Sequence, residues 1–146
     1  MHRIRANIAL LAASTLFAGC ATAQDHSSPA YPIEPATADH YVWGGKNDGW
    51  YMINRRDLSI IQERMAPGGE EIRHYHRKSR QFFYVLSGTL TMDVDGDASE
   101  VTAGQGIEIV PGKTHKARNA SAAPLDMLVV SMPNSHGDRV EVPEGQ

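Results

Sequence analysis

The sequence predicts an all-β domain, a sandwich or barrel of short strands, on three observations. Short runs rich in β-branched and aromatic residues recur along the chain at close spacing. Turn signals such as Pro67-Gly68-Gly69 and Asp95-Gly96-Asp97 separate several of them. No segment of the body carries an apolar period of 3.6 over three turns, so helices are not expected.

Before the strands comes a different kind of sequence. His2, Arg3 and Arg5 give a basic start, and an apolar run from Ile8 to Phe17 and then small residues follow. That is the layout of an export signal. Two processing sites compete. Leu16-Phe17-Ala18-Gly19-Cys20 resembles a bacterial lipobox, which would make residues 1–19 the signal and Cys20 a lipid anchor. Ala21-Thr22-Ala23 fits ordinary cleavage before Gln24, which would make the signal residues 1–23. Either way the expectation is an exported bacterial protein, periplasmic or anchored as a lipoprotein. Cys20 is the sole cysteine, so no disulfide can hold the mature chain together. Residues 24–40 are polar, with Pro29, Pro32 and Pro35 and no apolar period, and read as a flexible linker.

The folded domain is expected over residues 41–146. Trp50 to Asn54 and Leu58 to Met65 are the first two strand candidates, followed by the Pro67-Gly68-Gly69 turn. Ile72 to His76, Gln81 to Ser87 and Thr89 to Asp95 come next, the last two divided at Gly88. Asp95-Gly96-Asp97 marks a tight hairpin. Ile107 to Val110, His115 to Asn119 and Leu125 to Met132 complete the series, and the tail from Pro133 reads as irregular or edge-like. The 146 residues suffice for one such domain, and 41% apolar with 21% charged residues is ordinary for a globular protein. A net charge of −3 argues against a nucleic-acid partner.

The chemistry concentrates in four residues. His74 and His76 lie two apart on one strand, so both imidazoles point to the same face and reach one point. Ile72 shares that face and is expected in the core, with Arg73 and Tyr75 outside. Gln81 begins an inward face that continues through Phe83 and Val85. A buried amide needs a partner, and a metal ion would supply one. His115 follows the Pro111-Gly112 turn and shares a face with Ala117 and Asn119.

These residues resemble the two sequence motifs of the cupin superfamily. Gly68, His74, His76, Gln81 and Gly88 fall in register with the first motif, with Gln81 where glutamate is usual. Gly104, Val110, Gly112, His115 and Asn119 fit the second, with Val110 in a proline position and Pro111 one residue later. The likeness runs from about Trp50 to Met132. It implies a single double-stranded β-helix, or jelly-roll, barrel. It also implies one divalent metal ion (Mn, Fe, Zn, Ni or Co) held by His74, His76, Gln81 and His115. Gln81 stands either as a ligand or as a group that orients a histidine. The ligand spacing is similar to that of small cupins that linearise 4,5-unsaturated uronates, and pairing into a homodimer is expected by the same resemblance.

The functional expectation is a metal-dependent enzyme of isomerase, lyase or ring-opening type acting on a small organic acid or sugar acid. Four neutral ligands would leave the ion its full charge, which favours an anionic small-molecule ligand. A dioxygenase, or an envelope ligand-binding or sensing module without turnover, are the alternatives. No general base stands out in either motif. Arg64, Arg73 and Arg118 are candidates to hold an acidic substrate. Phe82, Phe83, Tyr84 and Leu86 read as packing, Arg77, Lys78 and Arg80 as a solvated patch, and Glu108 as outward-facing.

Overall fold

The structure, a computed structural model, describes residues 31–143. The export signal, Cys20 and the first part of the linker lie outside the described residues. β1 (Asp39–Trp43), β2 (Asn47–Asn54), β3 (Ser59–Met65) and β4 (His74–His76) open the fold. β5 (Arg80–Ser87), β6 (Thr89–Val94), β7 (Asp97–Thr102) and β8 (Gly106–Ile109) follow. β9 (His115–Arg118), β10 (Leu125–Met132) and β11 (Arg139–Glu141) complete it, and no helix occurs among the described residues.

The strands form a six-stranded sheet in the order β1-β2-β3-β10-β5-β8 and a five-stranded sheet in the order β11-β4-β9-β6-β7. Every pairing is antiparallel. The molecule is the all-β jelly roll that the sequence predicts.

Alternation sets what each strand buries. On β10, Leu125, Met127, Val129 and Ser131 are buried. On β5 the buried set is Gln81, Phe83 and Val85, and on β3 it is Ser59, Ile61, Glu63 and Met65. Met65, Phe83, Val85, Leu90, Met92, Leu125 and Met127 belong to one apolar cluster. Each such side chain contributes about 1.5–3 kcal/mol on burial. Ser131 pairs with both Ser59 and Gln81. The interior therefore changes along the strands from apolar at the Leu125 level to polar at the Ser131 level.

Two turns show why the chain reverses where it does. Asp95 and Gly96 both have positive φ, 53° and 96°, and join β6 to β7 as a two-residue hairpin. Gly88, at φ 84°, joins β5 to β6, and a Cβ there would lie 2.8 Å from the carbonyl oxygen of Pro124. Only glycine meets both demands without strain.

Three features depart from the sequence expectation. Ile72 is 58% exposed instead of core, because β4 begins only at His74 and the alternation does not extend back to it. Phe82, Tyr84 and Leu86 are exposed as well, since alternation on β5 turns them away from buried Phe83 and Val85. The tail is edge-like, as expected, but also contributes a strand, β11, paired with β4.

Candidate metal centre

His74 and His76 lie on β4 with Tyr75 between them, and the β9 pairing sets His74 directly opposite His115. One ligand atom from each of these three histidines lies within 4.8 Å of the others, and all three residues are buried. The ring centroids of His74 and His115 are 4.2 Å apart. Gln81 enters from the opposite sheet, on β5, and its Oε1 is 3.0 Å from His115 Nε2. The four residues singled out in the sequence thus come together.

Backbone carbonyls orient two of the rings. His74 Nδ1 donates to the Ile72 carbonyl at 2.8 Å, and His115 Nδ1 donates to the Lys113 carbonyl at 3.1 Å. Fixing the proton on Nδ1 leaves Nε2 with a free lone pair, the form a metal requires. Burial, then repulsion from His115, holds the His74 imidazolium down to about 3. Burial also lowers His115 to about 4, and it lowers His76. His74 and His115 are neutral at pH 7, and burial favours the neutral form of His76 as well.

The donor set fits a divalent cation. Neutral His115 has a single N–H, already given to Lys113, so its Nε2 lone pair faces the Gln81 carbonyl lone pair. With the amide in this orientation, a cation between the two acceptors would satisfy both. Turned over, the amide would donate to His115 and accept from Ser131 Oγ, which lies 3.3 Å from its other terminus. Gln81 can therefore serve His115 in either state. His76 Nδ1 is buried without a hydrogen-bond partner. Three imidazoles and an amide oxygen suit Mn, Fe, Co, Ni or Zn.

His74 and His76 open onto a cavity of about 210 Å³, and His115 lies behind them. Its lining includes Tyr41, Tyr51, Glu63, Glu71 and Arg139 besides His74, His76 and Gln81. Tyr41 Oη donates to Glu63 Oε1 at 2.9 Å. Burial, then the neighbouring Glu71, pushes the Glu63 carboxyl up to about 8. Burial raises Glu71 too, although its carboxylate accepts the Ala117 N–H at 3.0 Å. Arg139 is brought in by β11, whose register sets it opposite His76.

The three arginines proposed to hold an acid are elsewhere. Arg64 pairs with Asp126 and Arg73 with Asp93, both at 2.8 Å, and none of Arg64, Arg73 and Arg118 lines the cavity. Arg139 is the arginine of the cavity lining. Glu108 faces outward, as expected, and pairs with Arg80 at 2.6 Å. Glu63 was detectable in the sequence as a carboxylate between Ile61 and Met65 on one face of β3. Arg139 carried no local signal.

Comparison with known proteins agrees with this architecture. Residues 61–131 match the family profile described as a cupin domain. An uncharacterized protein of Methanocaldococcus jannaschii is 33% identical over 81 residues, which make up 55% of this chain and 65% of that protein. The chain spans less than two thirds of the length of the curated relatives it matches. The polyketide cyclase RemF from Streptomyces resistomycificus superposes with a TM-score of 0.69 at 16% identity, over 81% of this chain and 89% of that one. A sugar phosphate isomerase from a cupin superfamily, from Silicibacter pomeroyi, gives 0.61 at 19% identity, over 71% and 76%. At such identities these structures establish the fold.

Proposed function

Since this chain carries a cupin domain, we propose that it is a metal-dependent enzyme of isomerase, lyase or ring-opening type acting on a small organic acid or sugar acid. One observation carries the proposal: His74, His76, His115 and Gln81 converge without an anionic ligand beside a cavity that also holds Arg139. A divalent ion there would keep its full double charge and would polarise a carbonyl or stabilise developing negative charge. A cyclase and an isomerase among the structural neighbours support an enzyme of this broad kind.

The chain's own residues supply binding and orientation. The Arg139 guanidinium presents planar donors suited to a carboxylate. The polar rim around it, with Asn134, Ser135 and His136, offers hydrogen bonds to hydroxyl groups. The buried floor of Ile61 and Val129 keeps water from one side of the ligand.

The export signal read over residues 1–23, or 1–19 with a lipid anchor at Cys20, supports an envelope location. The exposed Phe82, Tyr84 and Leu86 stripe supports pairing of two copies through the six-stranded sheet.

The test is a ligand titration of Co²⁺-substituted protein, followed in the visible spectrum, with galacturonate and galactose as matched acidic and neutral probes. Tighter binding of the acid, lost in Arg139→Gln, is the expected result. Equal response to both sugars would remove the acid-substrate assignment.

A further inference from the structure

The cavity has a second pole, distinct from the histidines. Glu63 sits on the inward face of β3 between Ile61 and Met65 and is only 8% exposed. A carboxyl group in that position has lost its hydration and must be held by protein groups. Tyr41 on β1 does this: the β1–β2 and β2–β3 registers align Tyr41, Gly49 and Glu63 across three strands. Gly49 is required at the middle position, because a Cβ there would lie 2.3 Å from the Tyr41 ring. Backbone and side chain together therefore deliver the Tyr41 hydroxyl to Glu63 Oε1. Among the described residues no hydrogen bond reaches Oε2.

The surroundings keep a proton on this group. Glu71 lines the same cavity, and its carboxylate opposes a second negative charge nearby. Tyr51 also lies beside Glu63, while Arg139 is the cation that acts on it. Burial, then Glu71, outweighs the Tyr41 hydrogen bond and Arg139, so near neutral pH the carboxyl is mostly protonated. A carboxyl that gains and loses its proton near the working pH is suited to general acid–base catalysis.

Resting on the metal-dependent reading above, we propose that Glu63 is the proton-transfer residue of this cavity, held by Tyr41 and acting on a carbonyl compound seated between it and the histidines. In an enol-to-keto conversion the Glu63 O–H bond breaks and the enol carbon–carbon π pair takes that proton to form a C–H bond. The enol O–H pair becomes the new carbonyl π bond, and the proton it releases restores the Glu63 carboxyl. Run in reverse, the step removes a proton from carbon next to a carbonyl. It is an isomerisation and consumes no co-reactant.

Two measurements test this. Infrared difference spectra of chelator-treated wild type and Glu63→Gln near neutral pH should show a protonated carboxyl band in the wild type alone; its absence overturns the proposal. Zn²⁺-loaded protein is then given pyruvate in D₂O, and loss of the methyl signal is followed by proton NMR. Wild type should accelerate exchange, Glu63→Gln should lower it at least about 100-fold at unchanged zinc content, and Glu63→Asp should retain part of it. Tyr41→Phe should move the pH profile upward, because it removes the donor that favours the ionised carboxyl. Wild-type exchange in Glu63→Gln, or zinc uptake without exchange in the wild type, overturns the role of Glu63. No zinc uptake and no exchange instead overturns the metal-dependent reading beneath it.

Discussion

Lowering the pH from 7 to 5 in chelator-treated protein sets two kinds of buried group against each other. Burial holds His74 down at about 3 and His115 at about 4, against 6.5 for a free imidazole. A native value below the unfolded one gives stability that is full above pH 6.5 and is lost as the pH falls. The unfolded chain binds protons that the native chain refuses. Over this interval each histidine costs about 2 kcal/mol, or about 4 kcal/mol for the two. Glu63 works in the opposite direction. Burial, then Glu71, raises its carboxyl from 4.5 to about 8, so the native chain keeps a proton that the unfolded chain gives up. Its contribution is full below pH 4.5 and is lost as the pH rises through 8. Going from pH 7 to 5 it therefore returns about 2–3 kcal/mol. Of the remaining groups, His76 adds to the first side and Glu71 to the second. Wild type should lose only about 1–2 kcal/mol, whereas Glu63→Gln, which lacks the opposing group, should lose about 4 kcal/mol. Urea unfolding of both proteins at the two pH values measures the difference. Equal losses in wild type and variant would refute the opposition.

Other perturbations act on separate parts of the molecule. Met127→Ala removes a fully buried side chain of the apolar cluster and should cost about 2–5 kcal/mol, read as a lower urea midpoint at unchanged slope. Gln81→Glu places a charge beside His115; it should tighten Co²⁺ binding and weaken galacturonate by a few kcal/mol at most, roughly the size of a screened charge interaction. Equal galacturonate affinity in the two proteins would show that Gln81 does not set the charge of the site. Cys20→Ser should release the native protein from membranes or block its processing. Mass spectrometry finding an unmodified mature N-terminus at Gln24 would contradict the lipid anchor.

The histidines and Gln81 were legible in the sequence because their geometry is local. Period-two alternation fixes the shared face of His74 and His76 on β4, and the buried face on which Gln81 precedes Phe83 on β5. The Asp95-Gly96 hairpin was legible for the same reason, since the turn demands residues that tolerate positive φ. β7 left little trace: of Asp97–Thr102 only Val101 is buried, so no alternation marks it. β11 is a three-residue edge strand, and what brings Arg139 to the cavity is its pairing with β4, a contact across more than sixty residues. Periodicity also overreached at Ile72, because it cannot tell where a strand begins. Glu63 lay between the two cases. Its place on an inward face is local, but the Tyr41 hydroxyl that makes this burial tolerable comes through the register of three strands.

Metal content tests the central claim most directly. Elemental analysis of protein purified without chelators should find about one divalent ion per chain, and the ion should be lost in each of His74→Ala, His76→Ala and His115→Ala. Protein that carries no metal, and takes up none of Mn, Fe, Co, Ni or Zn on titration, would contradict it.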